Sequence, residues 1–161
     1  MKLTIETVVR ELRDELQSIS DGTTRQFLDD FAPIHVEWHS SRTFDGRPIG
    51  FLSIHHEVLA VHTALLKRNG EKVQKPMTRP KPAYRKHIDT LADQESFSNA
   101  LEDWHNSVHM NHHLYPMEFM DPAKNVYMDL FWRFHTLIDH KFTAWIKKNS
   151  LKYEDLDHQI V

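Results

Sequence analysis

The chain has 161 residues, a formal net charge of −3 and no cysteine, and this length predicts one domain, over residues 1–161, with a sizeable core. The net charge argues against a general nucleic-acid binder, no apolar run approaches the about 20 residues of a membrane span, and the lack of cysteine excludes disulfides and thiolate metal sites. We therefore expect a soluble, cytoplasmic protein whose partners are neither nucleic acid nor membrane.

Helical periodicity dominates the chain, and no run of alternating β-branched residues indicates a sheet. A first amphipathic helix is predicted over about residues 4–19, where the acidic residues argue against a signal peptide. A second helix is predicted from about Thr24 to His39 or a little beyond, interrupted by Pro33. Residues 41–50, SRTFDGRPIG, have turn chemistry, and we expect a loop there.

A third helix is predicted over about residues 52–68. It is followed by residues 69–86, NGEKVQKPMTRPKPAYRK, which contain three prolines and six basic side chains. This composition predicts an extended loop, which is either a solvated connection or a basic flap over a site, holding an anionic substrate or a partner.

The second half of the chain predicts two more helices. One begins near Gln94, and the other is opened by Asp121 and Pro122, which resemble a cap followed by a first-turn proline, and runs to about Lys148. The C-terminal residues 151–161 are expected to pack over an edge of the fold. The whole pattern predicts an all-α fold, a bundle of four main helices plus the N-terminal helix, built around a dinuclear metal site.

The metal site is predicted from histidine, of which the chain has 13. Most of them fall into four groups along the sequence: His35 and His39; His55, His56 and His62; His105, His109, His112 and His113; His135 and His140. Because no cysteine is available, such imidazole clusters suit copper, zinc, iron or nickel.

Spacing selects a subset of these histidines. His35 and His39, and likewise His105 and His109, are four residues apart on predicted helices, so each pair projects from one helix face and can share one ion. Two pairs and two single histidines on other helices would give three imidazoles for each of two metals. The remaining histidines are assigned to surface or supporting roles, as a lone helical histidine usually is: His56, His62, His87, His112, His113, His140 and His158.

The segment WHNSVH, residues 104–109, resembles the HN-x-x-H element of the second copper site in type 3 copper proteins, the tyrosinases, catechol oxidases and haemocyanins. The segment MDLFWRFHTLIDHKFTAW, residues 128–145, is similar to the stretch that supplies the third ligand of that copper. This resemblance implies His105, His109 and His135 as ligands, and Asp139 as the family's acid.

The first copper site is matched by two other segments. IHVEWH, residues 34–39, is similar to the first-copper element of arthropod haemocyanins, and the helix around His55 to the one that carries the remaining ligand. Tyrosinases usually have a histidine nine residues before the position of His55, where this chain has Gly46. The resemblance therefore implies His35, His39 and His55, with His39 acting across a longer loop and His56 or His62 as substitutes.

The function that this resemblance implies is that of a tyrosinase-like enzyme with two copper ions. It would use dioxygen to oxidise small phenols, catechols or aminophenols, with or without ortho-hydroxylation. In tyrosinases an asparagine and an upstream glutamate are thought to hold a water that acts as the base for phenols. Asn106 matches the asparagine, and Glu95 lies at about the right distance upstream, with Glu102 and Asp103 as rivals.

Two other functions are weighed against this one. A haemocyanin-like dioxygen carrier is less expected, because carriers of this family surround the copper domain with large extra domains. A hemerythrin-like di-iron protein would need carboxylates that bridge the metals, and the predicted helices offer histidine pairs without well-placed glutamates. A homo-oligomer and a separate copper chaperone are left open as partners.

Overall fold

The computed structural model describes residues 5–161. Within that range the fold consists of five α-helices: α1 (Ile5–Ser18), α2 (Thr24–Ser41), α3 (Phe51–Arg68), α4 (Gln94–His109) and α5 (Asp129–Lys148). Single 3-10 turns lie at Lys86–Thr90, Met117–Met120, Asn125–Tyr127 and Tyr153–Asp155. The predicted all-α bundle, with four main helices and an N-terminal helix, is confirmed. Thr4, the predicted first residue of α1, lies outside the described residues.

The helix α3 is the centre of the bundle. Twelve of its 18 residues are buried, as expected of a helix that is covered on nearly all sides. It packs against α1 on one side and α5 on the other, and it also contacts α2 and α4. Aromatic residues fill the space around it, and each large side chain that is fully buried contributes about 1.5–3 kcal/mol. Phe27, Phe31, Phe97, Phe131, Phe134 and Phe142 are all completely buried.

Helix α2 differs from its prediction, because Pro33 does not interrupt it. The proline ring is on the exposed side of the helix, where the backbone carbonyl that loses its partner can be solvated. The helix is closed at both ends. Thr23 Oγ1 accepts a hydrogen bond from Gln26 N at 3.1 Å, and Arg42 takes the left-handed conformation at the C-terminal end, with φ of 60°.

The predicted loop at residues 41–50 contains a short antiparallel hairpin, β1 (Thr43–Phe44) and β2 (Arg47–Pro48). Its turn residues, Asp45 and Gly46, both have positive φ, 51° and 73°. Two such residues in succession match the backbone twist of a hairpin.

The C-terminal segment packs against the start of α3. Gly50 N donates to His158 O at 2.8 Å, and Ser53 N donates to Val161 O at 3.2 Å. A Cβ at Gly50 would lie 1.9 Å from Val161 O, so only glycine permits this close approach. The segment therefore satisfies amide groups at the first turn of a helix that carries a predicted metal ligand.

The start of the last helix was predicted wrongly. Asp121 caps only one turn, in which Lys124 N and Asn125 N donate to Asp121 O at 3.0 and 2.8 Å. The chain then becomes extended at Met128, with ψ of 131°, and α5 begins at Asp129. The intervening turn is held in place by the core, since the indole of Trp132 donates to Val126 O at 2.8 Å.

The basic segment 69–86 forms no regular helix or strand before the 3-10 turn that begins at Lys86. It lies along α5 and α4, because Met77 N donates to Arg133 O at 2.9 Å and the indole of Trp104 donates to Pro82 O at 3.0 Å. None of the helices in the described part of the chain is both long and apolar enough to cross a membrane.

Candidate metal centre

Four helices bring six histidines into two groups of three. His35 and His39 of α2 meet His55 of α3, and we call this group the first triad. His105 and His109 of α4 meet His135 of α5, and we call this group the second triad. The spacing of four residues places both members of each pair on one helix face. Helix packing then adds the third ring, and in each triad the three potential ligand atoms lie within 4.8 Å of one another.

The Nε2 atoms converge in both triads. In the first triad His35 Nε2 lies 3.1 Å from His39 Nε2 and 3.4 Å from His55 Nε2. In the second triad His135 Nε2 lies 3.3 Å from His105 Nε2 and 3.3 Å from His109 Nε2. Metal–nitrogen bonds of 2.0–2.1 Å in tetrahedral geometry require nitrogen–nitrogen separations of about 3.3–3.4 Å. Two of the three nitrogen–nitrogen separations in each triad are thus close to those of imidazoles around one ion.

The opposite ring nitrogens show which atoms carry protons. Four of the six Nδ1 atoms donate to an oxygen that can only accept: His35 to Pro122 O at 2.9 Å, His55 to Phe51 O at 2.7 Å, His109 to Phe119 O at 2.6 Å and His105 to Asn106 Oδ1 at 3.0 Å. In a neutral imidazole the proton on Nδ1 leaves a lone pair on Nε2. These bonds therefore fix the tautomer that binds metal and orient the ring.

Burial keeps these rings neutral. It lowers the pKa of His35 to about 3 and that of His109 to about 4, and it lowers the pKa values of His55, His105 and His135 well below the ordinary range. Two neutral rings with Nε2 lone pairs, such as His35 and His55, have no proton to share across their 3.4 Å separation. A bound cation would turn this repulsion into attraction, so the donor set fits a metal ion in each triad.

The two triads are adjacent. The rings of His55 and His135, one from each triad, are stacked with centroids 4.4 Å apart and planes 13° apart. Phe131 packs against both rings, with centroids 6.4 Å from His55 and 4.2 Å from His135. The ring of Phe131 thus covers the inner side of the two triads and keeps water away from that side.

One groove, of about 210 Å³, opens onto both triads. It is lined by His39, His105, Asn106, His109, Met110, Met120, Pro122 and Asn125. Ligand pockets for drug-sized molecules run from about 300 Å³ upwards, so this groove suits a smaller molecule. A molecule in it would lie against residues of both triads.

Of the residues predicted to assist catalysis, the structure brings Asn106 to the site and leaves Glu95 away from it. Asn106 is exposed in the groove and accepts from His105. Glu95 is exposed in the first turn of α4, ten residues and therefore about 15 Å along the helix from His105. The two alternative acids also do not serve the site. Glu102 is paired with Arg42, and Asp103 is exposed to solvent.

The proposed substitutes for a first-copper ligand lie outside both triads. His56 donates from Nδ1 to Asp139 Oδ1 at 2.6 Å, and this bond and the charge of Asp139 raise the pKa of His56 against the opposing effect of burial. Asp139, the acid that the resemblance implies, is therefore engaged with His56. His135 Nδ1 is buried without a hydrogen-bond partner among the described residues. His62 stacks on Trp132, with centroids 3.7 Å apart.

Several features of the site were not predicted. The carbonyl groups that orient the rings have no side-chain signal, although Phe51 could have been found as the residue one helical turn before His55. His62 and His158 are buried, which their spacing did not indicate, and His158 pairs with buried Ser53 at 2.7 Å. The methionines of the groove were likewise missed.

Comparisons with models of protein families, with curated proteins and with solved structures find no match. The residues of the site are therefore what indicates a function. These are six neutral imidazoles in two adjacent groups, joined by one groove. Such donors suit copper, zinc, iron and nickel among the first-row metals.

Proposed function

We propose that the protein is a dinuclear copper oxidase of the tyrosinase and catechol oxidase type, which uses dioxygen to oxidise small phenols, catechols or aminophenols. The observation that carries this proposal is the groove that reaches histidines of both triads. A mononuclear site would use only one of the two triads. A structural metal site has all its coordination positions filled by protein, and therefore would not face a groove. The motif resemblance around His105 and His135 points to the same chemistry.

Copper is the metal that the donor set favours. Both triads consist of imidazole alone among the described residues, and copper binds nitrogen ligands more tightly than the other first-row divalent metals. A hemerythrin-like di-iron centre would need bridging carboxylates. The buried carboxylate nearest in sequence to His55 is Glu57, which is paired with Arg13 and accepts from Tyr153. Asp139 is engaged with His56, so neither is free to bridge.

Catalysis is favoured over dioxygen transport by the accessibility of the groove. His39 is exposed there while the other five ligands are buried, so a small organic molecule can reach one edge of the centre from solvent. A bound copper pair would supply two-electron redox chemistry with dioxygen. In the overall reaction two catechols give four electrons and four protons, which reduce one dioxygen to two waters and leave two quinones.

The protein's own residues perform the supporting steps. Carbonyl groups hold the rings of His35, His55 and His109 in the tautomer that leaves Nε2 free. Aromatic side chains exclude water from the inner side of the centre. Asn106, which holds the ring of His105 and faces the groove, is the residue that we assign to orienting a water for phenol deprotonation. We assign no step to Glu95.

The test of this proposal is copper-dependent turnover. Metal-free protein is loaded with copper, zinc or iron in parallel, and oxygen consumption is followed with catechol and with a matched monophenol. We expect catechol oxidation with copper alone, at two coppers per chain. His140→Ala, at an exposed histidine outside both triads, is the matched control and should keep full activity. Copper-loaded protein that binds dioxygen reversibly but does not turn over would instead indicate a carrier.

A further inference from the structure

An exposed apolar segment lies beside the groove. In the described part of the chain the most exposed large apolar side chains are Met110 and Met117, each 65% exposed, and Leu114 at 63%. All three fall within eight residues directly after the ligand His109. Large apolar side chains clustered at a surface usually serve binding, and the proposed oxidase chemistry gives this segment no role.

Two methionines bring this segment to the metal centre. Met110 and Met120 line the groove together with His39, His105 and His109. Met117 and Met120 are the first and last residues of one 3-10 turn, and residues three apart in such a turn share a face. The chain is fixed on both sides of the groove. Met110 N donates to Asn106 O at 2.9 Å, and the carbonyl next to Met120 accepts from His109.

A thioether differs from an imidazole in the ions that it selects. Sulfur ligands of methionine prefer Cu(I), whereas imidazole binds Cu(II), zinc and iron as well. Leucine would fill the same space without any affinity for a metal. Two thioethers in the lining of a groove that leads to buried imidazoles, with Met117 at the other end of the 3-10 turn that carries Met120, therefore provide selection for Cu(I) before the ion reaches the triads.

We propose that Met110 and Met120, assisted by the exposed Met117 in the same 3-10 turn as Met120, form a Cu(I) capture site through which copper reaches the two triads. The identification of copper as the ion rests on the proposed function. Five of the six triad histidines are buried, so the groove is the route by which an ion from solvent meets His39, His105 and His109. The ion is passed from sulfur to nitrogen as Cu(I), without a change of oxidation state.

The first test is the rate of copper uptake. Metal-free protein is mixed with Cu(I) held by a coloured chelator, and the loss of the chelator complex is followed in a stopped-flow instrument. Met110→Leu and Met120→Leu preserve volume, so the fold is expected to tolerate them. We expect Cu(I) uptake to slow by about 10-fold or more in each, since even supporting groups of a metal site contribute about 10–100-fold to affinity.

Three controls separate thioether binding from other causes. Met128→Leu removes a sulfur outside the groove lining, and Leu114→Ala removes exposed apolar surface without removing sulfur. Both should load Cu(I) at the rate of the unmodified protein. Uptake of Cu(II) should be equal in all variants. Equal Cu(I) rates in all proteins, or equal slowing in Leu114→Ala, would overturn the capture site.

The second test reads the thioethers directly. Protein labelled with ¹³C in the methionine methyl groups is titrated with Ag(I), a redox-inert ion with the same preference for sulfur. We expect the signals of Met110, Met117 and Met120 to shift, while those of Met77 and Met128 stay in place. Absence of these shifts overturns the site. Shifts at these methionines in a protein whose triads take up no copper would support the soft-ion site and contradict the proposed oxidase function.

Discussion

The two triads have the same donor atoms and different surroundings. All three members of the second triad are buried, whereas the first triad has His39 exposed at the groove. The ring of His105 lies flat against Phe134, with planes 2° apart and centroids 5.4 Å apart. The second triad is therefore the more buried set of histidines, and His39 is the position at which solvent molecules exchange most readily.

This difference leads us to expect unequal effects of ligand loss. At the buried position of His135, which does not line the groove, solvent cannot easily replace a missing imidazole. In the first triad, water or an added ligand can occupy the position of His39, which is exposed in the groove.

His135→Ala should abolish oxidase activity and remove copper from the second triad. The ring of His135 contacts both triads. Its Nε2 atom lies beside His105 Nε2 of the second triad, and its ring stacks on His55 of the first triad. The bundle should stay folded at a cost of about 2–5 kcal/mol, because Phe131 and Phe134 remain buried. Metal analysis, catechol oxidation and a melting curve check this. Retention of both coppers and of activity would show that His135 is not a ligand.

Asn106→Leu should depress monophenol hydroxylation by about 10²–10⁴-fold, the usual contribution of a group that assists proton transfer. Catechol oxidation should fall much less, because a catechol is more easily deprotonated. Rates on a monophenol and catechol of matched structure, with a melting curve, measure the effect. Equal losses on both substrates would mean that Asn106 only orients the ring of His105, with which it is hydrogen-bonded.

His39→Ala should weaken copper binding at the first triad by about 10–100-fold and should leave the second triad loaded. Because His39 is exposed in the groove, free imidazole added to the solution should restore copper binding and part of the activity. The same addition should not rescue His135→Ala, whose position is buried. Rescue of both variants, or of neither, would mean that His39 and His135 do not differ in their accessibility to added imidazole.

The stability of the metal-free protein should fall as the pH is lowered from about 6.5 to about 4. The pKa of His109 is about 4 in the folded state against 6.5 in the unfolded chain, so the unfolded state binds more protons throughout this window. The free energy of unfolding then decreases with falling pH by about 1.4 kcal/mol per pH unit for each such histidine. The contribution of the neutral histidine to the free energy of unfolding is fully present above pH 6.5. It is completely lost below the folded-state pKa.

Urea unfolding at a series of pH values measures this slope. His109→Leu should reduce it by about 1.4 kcal/mol per pH unit, and His87→Leu, at an exposed position, should leave it unchanged. A slope that is unaffected by His109→Leu would mean that this ring is not held neutral in the folded protein.

The sequence predicted the helices better than the connections between them. Periodicity gave five helices, because buried leucines and aromatic residues recur at helical spacing. The start of α5 was predicted too early, since the Asp121–Pro122 cap serves only a single turn before the backbone becomes extended at Met128. Local cap chemistry cannot tell how many turns will follow it.

For the candidate site, spacing within one helix was informative and spacing between helices was not. The pairs His35/His39 and His105/His109 follow from the helical repeat. His55 and His135 were candidates from their positions on other predicted helices, and the motif resemblance indicated which pair each of them joins. The exposure of His39 and the carbonyl partners of the rings depend on how the helices pack. The groove, and with it Met110 and Met120, comes from chain segments that have no periodic pattern.

We infer that the two histidine triads hold a pair of copper ions side by side. A copper titration of the metal-free protein, followed by reduction and addition of dioxygen while the absorption spectrum is recorded, decides this. We expect two coppers per chain and an intense near-ultraviolet band that appears only with dioxygen and only when both triads are filled. A stoichiometry of one ion, a preference for iron over copper, or a spectrum unchanged by dioxygen at full loading would contradict it.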